Sequence, residues 1–463
     1  MNTSKIEKLF EKFYKQKLFI FKDKNFLSYG DVANKINLLQ KNLIYKHKSL
    51  KNKIVFLNID RSYNYFIYLL TLANLGATIV PIPSNIKSND LYNLRKIFNP
   101  FTEINEQMLL SKKEFGINKK NIKNDFENSK IIFFSSGTTG KPKGIVHSIP
   151  KLLLSAKEFS TLASYKKNIN ILHNWPHHYM AGFFNMFLCC VAKGSSIVLL
   201  DEIGSKNYLN YWNIIKKFKI NISYLSPTMA QALITYSQYE KKKFKKLHKI
   251  KIITTGSYLY KSIAKQFYKT FRINLCQCYG VTEVGGSITL QENFLKPIGS
   301  LGKKTKGIKI HLNKNKEIMI KSKFMFIGYQ DGLKIKTFKK PYFASGDLGK
   351  LVKNELLIIG RKKEIIKKGG EPISLLKIED ITLNLPVVKD VQAKGVSSEF
   401  WGEIVELDVV LKKDEEKQKS VENLKKYLIQ SLSPIEYPSK INIVNYIPKT
   451  SIGKNFRKFF DHP

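Results

Sequence analysis

The stretch Ile131 to Gly144 reads IIFFSSGTTGKPKG, a short apolar run that breaks into a loop of hydroxyls, glycines and lysines. Gly137, Gly140 and Gly144 let backbone amides approach an anion closely, Ser135, Ser136, Thr138 and Thr139 add hydroxyl donors, and Lys141 and Lys143 add point charges. The chemistry suited to such a set is the holding of phosphate. Pro142 between the lysines stiffens the tip. A Walker loop places four residues between its first glycine and a Gly-Lys-Ser/Thr, and that spacing is absent, which excludes the ordinary P-loop. From these residue types alone, a solvated Ser/Thr/Gly turn between two elements stays open.

The elements around the loop can be read from hydrophobic period. Ile131 to Phe134 fit a buried strand, and Ser148 followed by Pro150 starts a helix whose apolar face is Leu152, Ala156, Phe159 and Ala163, giving strand, loop, helix. Downstream, Ile169 to Asn174, Ser196 to Leu200, Ile222 to Ser226 and Ile250 to Thr255 read as strands, with helices over 208–218, 228–236 and 261–271 between them. Such alternation predicts parallel sheets covered by helices. Upstream, Gly76 stops a helix before a buried strand at Thr78 to Ile82, while Lys87 to Ser129 is polar and takes no clear assignment. Ile6, Leu9, Phe10 and Phe13 fall at helical spacing, which suits a docked core helix or one lying on a membrane surface. From Pro297 to Lys362, glycine-punctuated alternating runs such as Ile308 to Leu312 and Leu356 to Ile359 indicate a smaller antiparallel or barrel-like unit. A break at Gly360 to Lys363 then leaves about a hundred residues, the size of a compact domain.

With 463 residues, 43% of them hydrophobic, the chain supports two or three domains and is neither disordered nor fibrous. The formal net charge of +43 comes from 79 Lys and Arg against 36 Asp and Glu. The lysines are spread along the whole chain beside abundant Asn, Ile and Phe, the composition of an AT-rich genome, with no basic arm, zinc-finger spacing or RNA-binding aromatic motif. Specific nucleic-acid binding is not expected; at most a peripheral contact with anionic lipid is. Cys189, Cys190, Cys276 and Cys278 sit in apolar stretches and read as buried free thiols of a reducing compartment. No apolar run is long enough to span a bilayer, and a cytoplasmic protein is expected.

SSGTTGKPKG resembles the phosphate-binding signature of the adenylate-forming superfamily, which includes acyl-CoA and aryl-CoA ligases, luciferases and the adenylation domains of peptide synthetases. Further stretches resemble the superfamily's motifs in its order. CYGVTEVGG, Cys278 to Gly286, is similar to Tyr-Gly-x-Thr-Glu, which implies that Tyr279 stacks on adenine, Thr282 meets the α-phosphate and Glu283 binds Mg²⁺. TGSYL, Thr255 to Leu259, stands where the family has Gly-Gly-Ala/Glu-x-Leu. Gly256 fits this adenine loop, Thr255 and Ser257 depart, and Tyr258 narrows the acyl pocket or packs against it. FASGDLG resembles Thr-Gly-Asp, with Asp347 holding the ribose hydroxyls and Ser345 replacing the threonine, and Arg361 after Gly360 matches the arginine that also contacts ribose.

In IIKKGGEPISLLKIE, Ile366, Lys367, Gly369, Gly370, Glu371, Ile373, Ile378 and Glu379 match the family's Ile-Lys-x-Gly-Gly-Glu motif. Gly370 falls where thioester-forming members bring this loop to the thiol tunnel, and Lys363 falls on the hinge. Lys377 stands where the family has glutamate, which puts the start of that helix in question. Pro448, Thr450, Gly453 and Lys454 match Pro-x-Thr-x-x-Gly-Lys, which implies that Lys454 is the catalytic lysine stabilising charge between carboxylate and α-phosphate. WPHHYMAGFFN, Trp175 to Asn185, aligns Tyr179 with the aromatic bordering the acyl pocket, and Val281 is expected in that pocket as well. Zinc is not expected at His177 and His178. No aspartate matches the one that grips an amino group, which disfavours an amino-acid substrate; the aromatic lining suggests a medium or aromatic acyl group.

The resemblance implies an α/β fold: a large N-terminal domain (residues 1–360) of stacked βαβ subdomains with a small β-barrel, plus a small mobile C-terminal α+β domain (residues 361–463). It implies an acid–thiol ligase that uses ATP, Mg²⁺ and coenzyme A to convert a carboxylic acid to acyl-AMP and then to a thioester. The alternatives are a ligase that loads a separate acyl-carrier protein, and a degenerate nucleotide-binding protein without activity.

Overall fold

The computed structural model describes residues 5–106, 124–135, 143–200, 208–237, 250–297, 299–412 and 417–449. Ser136, Gly137, Thr138, Thr139 and Gly140 of the expected phosphate loop, and Lys454, lie outside these residues, as do the side chains of Ser135 and Lys143.

Two large sheets carry the N-terminal part. In the first, the strands Lys303–Lys304, Thr289–Gln291, Leu275–Tyr279, Lys251–Thr254, Ile220–Leu225, Asn170–His173, Ser196–Leu199, Lys17–Ile20 and Phe26–Ser28 lie side by side in that order. The run from Leu275–Tyr279 to Lys17–Ile20 is parallel throughout. The second sheet has seven strands and is built on Thr102–Asn105, Ile54–Asn58, Thr78–Pro81 and Lys130–Ser135, again parallel, with Lys143–Ser148, Gly328–Asp331 and Lys334–Thr337 antiparallel beyond them. The expected strands and helices of this half are present within a residue or two, and the helix Tyr63–Asn74 does stop ahead of Gly76, whose φ of +71° is the left-handed turn only glycine adopts freely.

The expectation of strand, loop, helix around the glycine loop needs correction. Lys143–Ser148 is a strand that folds back on Lys130–Ser135, with Ser135 opposite Lys143 and Lys130 opposite Ser148, and only then does the helix Ile149–Leu162 begin under a Ser148 cap. The physical reason is Ile145 and Val146, β-branched and wholly buried, which pack on the two faces of the pleat. Part of the unassigned polar region also has regular structure: a helix at Ser88–Phe98, anchored by Leu94 and Phe98, and the strand Thr102–Asn105.

The N-terminal helix Lys5–Lys12 is docked rather than free for a membrane. Ile6, Phe10 and Phe13 are buried, and the rings of Phe10 and Phe13 meet Tyr29 edge-on at 5.1 and 5.7 Å. Among the described residues no helix is long and apolar enough to cross a membrane. All four cysteines are buried and free.

The expected small barrel takes the form of a four-stranded antiparallel sheet, Ile308–Leu312, Glu317–Ser322, Phe343–Val352 and Glu355–Arg361, with Ser300 bridging to Leu357 at its edge. A five-stranded sheet follows, of Glu371–Ser374, Ile365–Lys368, Gly402–Leu411, Val388–Ser398 and Lys440–Ile443, covered by the helices Leu375–Thr382 and Lys417–Ser431 around a core that includes Ile378, Val405, Leu407, Leu424 and Leu428. The fold is thus mixed α/β, with a large N-terminal part and a small C-terminal α+β part. Lys377, the departure from the family pattern, leaves the C-terminal helix intact. Ser374 caps it by accepting from the Lys377 amide at 3.3 Å, and the Lys377 ammonium pairs with Glu436 at 2.6 Å.

Candidate active site

Three of the residues expected at a nucleotide converge. Tyr279 ends the Leu275–Tyr279 strand, and its hydroxyl donates to Asp347 Oδ2 at 2.7 Å. Arg361 stands directly opposite Asp347 in the antiparallel pair, and its Nε donates to Asp347 Oδ1 at 2.9 Å. Asp347 is 3% exposed, whereas the Arg361 side chain is 55% exposed. Burial pushes the Tyr279 phenol well above its ordinary pKa and the Asp347 charge adds to this, so it stays a neutral donor. Arg361 is raised by the same carboxylate. Within the strand Phe343–Val352 the irregular step Ser345–Asp347 is pinned by two hydrogen bonds: the Asp347 amide donates to Ser345 Oγ at 3.1 Å and the Gly346 amide to Glu317 Oε1 at 3.0 Å. A buried carboxylate rimmed by a phenol and a guanidinium suits a neighbour with paired hydroxyls and a π-face.

Just after Tyr279 the chain makes a 3₁₀ turn, Thr282–Val284. Gly280 is obligatory there, because a Cβ would stand 2.0 Å from the Gly286 carbonyl oxygen. The turn is held from three sides. His147 Nε2 donates to the Thr282 carbonyl at 2.7 Å, the Phe326 amide donates to the Glu283 carbonyl at 2.8 Å, and Ser155 Oγ donates to the Gly285 carbonyl at 2.8 Å. His147 is wholly buried, and burial lowers its pKa to about 4, so the neutral imidazole makes this bond. The Glu283 carboxylate is half-buried and accepts from the Tyr329 hydroxyl at 3.1 Å. A hard oxygen donor at a partly open position is chemistry that suits Mg²⁺. Among the described residues no three His, Cys, Asp or Glu side chains form a group that could hold a metal by themselves.

Gly256 has φ +92°, and a Cβ on it would meet the Trp175 ring at 3.0 Å. Trp175 is itself fixed by its indole N–H, which donates to the Tyr224 carbonyl at 3.1 Å. Tyr179 lies 4.5 Å from the His178 ring, centroid to centroid. Val281 is half-buried on the core of the small sheet. Tyr258 packs edge-on at 5.4 Å against Tyr260, which stands at the contact between the two parts of the molecule, and its pKa is raised by burial and by Asp380 of the helix Leu375–Thr382. There Tyr260 donates to Glu379, and the Ser262 amide and hydroxyl donate to Asp380 Oδ1 at 3.2 and 3.1 Å. Lys363 lies in the exposed turn Lys362–Glu364. Gly370, φ +86°, is exposed with nothing within 4 Å of a Cβ, so this arrangement does not bring it to Tyr279 or Thr282.

Several residues at the site carry no sequence signal strong enough to single them out. His147 and Tyr329 support the Thr282–Glu283 turn from strands more than forty residues away in the chain. Arg61 follows the Ile54–Asn58 strand and donates to the His173 carbonyl at 2.6 Å.

A model of the AMP-binding enzyme family matches residues 95–329, and a model of the AMP-binding enzyme C-terminal domain matches residues 377–454. The chain is similar to the mitochondrial malonate–CoA ligase ACSF3 of Mus musculus, at 26% identity over 71% of this chain and 63% of that protein. It is similar also to the oxalate–CoA ligase of Saccharomyces cerevisiae, at 26% over 71% and 62% respectively. The 2-succinylbenzoate–CoA ligase of Staphylococcus epidermidis matches at 24% over 88% of this chain and 82% of its own. The chain thus spans under two thirds of the length of the first two relatives. Among solved structures, the anthranilate CoA ligase AuaEII in complex with anthranoyl-AMP superimposes with a TM-score of 0.82, covering 97% of this chain and 95% of that one at 17% identity. The o-succinylbenzoate coenzyme A synthetase of Bacillus subtilis in complex with ATP and magnesium gives 0.79 at 17% identity, covering 97% of each. At that identity the likeness concerns the fold.

Proposed function

The chain belongs to the AMP-binding enzyme family, and on that premise we propose that it activates a carboxylic acid with ATP as an acyl-adenylate and transfers the acyl group to coenzyme A. The observation that carries the reading is the linked set Tyr279, Asp347 and Arg361 beside the braced Thr282–Glu283 turn. In this reading Asp347 and Arg361 take the ribose, Tyr279 and Gly256 flank the adenine, and Thr282 and the glycine loop (Ser135 to Gly140 with Lys143) take the phosphates. The names of the relatives, which are CoA ligases for malonate, oxalate and 2-succinylbenzoate, support coenzyme A as the acceptor.

The acid's carboxylate attacks the α-phosphorus in line, pyrophosphate leaves, and a mixed anhydride forms. Both reacting groups are anionic, so the step needs fixed positive charge and donors at the phosphate; Lys454 and Thr282 supply them. Glu283 would hold Mg²⁺, which would supply positive charge against that of the leaving pyrophosphate. In the second step a thiolate attacks the acyl carbon and AMP leaves. For that step Gly370 must approach the site, and we place the division of domains at Gly360/Arg361 with Lys363 as the hinge. The four-stranded sheet ends at Arg361, the five-stranded sheet starts at Ile365, and the Lys362–Glu364 turn is all that lies between, which supports this division.

The test is a panel of fatty, aryl and hydroxy acids scored for pyrophosphate release, with coenzyme A present or absent and the thioester identified by mass. Thioester formation with at least one acid is expected. Adenylate that accumulates and moves only to an added acyl-carrier protein would replace coenzyme A by the carrier. A folded protein inert with every acid would leave a binding protein.

A further inference from the structure

Six buried side-chain polar atoms that have no hydrogen-bond partner among the described residues fall on five neighbouring residues: Tyr65 Oη, His173 Nε2, Asn174 Oδ1, His177 Nδ1 and Nε2, and His178 Nδ1. The rings of Tyr65 and His177 are 4.1 Å apart and those of His177 and His178 5.5 Å, while Phe66 joins Tyr65 to His173 at 5.2 and 5.3 Å. The backbones of Ile59 and Gly182 lie close enough to His177 and His173 to influence their pKa values, but not in hydrogen-bonding geometry. Native interiors satisfy buried polar groups, so a local cluster of side-chain atoms without a protein partner marks a place suited to a polar ligand.

The chemistry of that ligand can be read from the groups. Arg61 lies with its Nη1 3.4 Å from His173 Nδ1 and puts a fixed positive charge beside the cluster. If Nδ1 accepts from Arg61, the His173 proton is on Nε2, which makes Nε2 an unpartnered donor. The Tyr65 hydroxyl and the one N–H of neutral His177 are two more; burial keeps His177 uncharged, with a pKa of about 3. Three donors and a guanidinium suit an anionic oxygen group. The position agrees. Arg61 and His173 lie at the carboxyl ends of parallel strands, one in each large sheet, where ligands of α/β proteins bind, and His178 links the cluster to Tyr179.

We infer that Arg61, Tyr65, His173 and His177 form a subsite for an anionic group at the far end of the acid, so that the substrate is a dicarboxylic acid. This rests on the ligase reading and narrows it: the acyl group is not simply medium-sized or aromatic but carries a second carboxylate.

The experiment measures acid-dependent exchange of labelled pyrophosphate into ATP for matched pairs: butanoate and butanedioate, hexanoate and hexanedioate, benzoate and benzene-1,4-dicarboxylate. In at least one pair the diacid should exceed the monoacid in kcat/KM by about tenfold or more, since a site built for hydrogen bonds rejects analogues that lack the group. Arg61→Met should reduce that ratio by about tenfold or more. Tyr65→Phe should reduce it as well and, because it deletes an unpartnered hydroxyl, should melt no lower than the wild type without substrate. Monoacids equal or better in every pair, or a ratio that neither variant moves, overturns the subsite while leaving the ligase standing. No exchange with any acid overturns both. A lower melting temperature for Tyr65→Phe would reveal a partner for the hydroxyl and count against the subsite.

Discussion

The Tyr279 hydroxyl donates to Asp347 at 2.7 Å across 68 residues of chain, and it joins the end of a parallel strand of the large sheet to a strand of the small antiparallel one. Because Asp347 is buried and shared by Tyr279 and Arg361, its carboxylate is pre-aimed. Asp347→Ala should weaken ATP binding by about ten- to a hundredfold, the usual worth of a hydrogen bond to a charged group. Arg361 is half exposed and can be rehydrated, so the fold should survive. Titration calorimetry with ATP checks this; unchanged affinity would remove Asp347 from the nucleotide site.

Acid should destabilise the protein through its buried histidines. His147 titrates at about 4 and His177 at about 3 when folded, both lowered chiefly by burial, against roughly 6.5 when unfolded. Above about pH 6.5 both states are neutral and the full stability is present. As pH falls from there toward 4 the unfolded chain takes up protons that the folded one refuses, and stability falls by up to about 1.4 kcal/mol per pH unit for each such group. His147→Leu should flatten the slope by about one proton, and at pH 7 it should lose about 1–3 kcal/mol because the Thr282 carbonyl is left without its donor. Urea midpoints at several pH values between 7 and 4.5 measure both effects. A stability that rises on acidification through this range has the opposite sign.

The contact between the two parts of the molecule includes the Tyr260 hydroxyl at buried Glu379 and Ser262 at Asp380. Tyr260→Phe with Ser262→Ala should loosen the helix Leu375–Thr382. Its amides should exchange hydrogen at least about tenfold faster, as expected for a lost stabilisation of about 1.4 kcal/mol or more, with the Leu275–Tyr279 strand unaffected. Equal exchange in the wild type and the double variant would show that the pairs do not hold the C-terminal part.

For Lys454, a single donor to developing charge in a water-excluded site is worth about a hundred- to a thousandfold in rate. Lys454→Ala should lose acyl-AMP synthesis by that order, still bind ATP, and still convert supplied acyl-AMP and coenzyme A to thioester. Lys454→Arg should rescue poorly, since a planar guanidinium is wider than an ammonium. Single-turnover assays of each half-reaction separate these outcomes.

What could be read from the sequence divides along physical lines. Tyr279, Thr282, Glu283, Asp347 and Arg361 were singled out because their short runs resemble the superfamily's motifs, and two of their neighbours, Gly280 and Gly346, have a place that backbone geometry explains. Hydrophobic period located the parallel strands because they are buried on both faces. The strand Lys143–Ser148 was missed because a glycine-rich loop followed by Ser148 and Pro150 imitates a helix start, although Ile145 and Val146 carried the contrary signal. His147, Tyr329 and Arg61 act through single contacts with residues distant in the chain, and Tyr258 meets its neighbour Asp380 only after the C-terminal helix has docked. Such pairings have no period or spacing to reveal them.

Adenylate formation is tested most directly by exchange of labelled pyrophosphate into ATP, with Mg²⁺ present and acids supplied one at a time. Label should enter ATP only when a suitable carboxylic acid and Mg²⁺ are both present, with no need of coenzyme A, and Glu283→Gln should reduce the rate. A folded protein that binds no ATP and exchanges no label across fatty, aryl, hydroxy and dicarboxylic acids would contradict the ligase assignment.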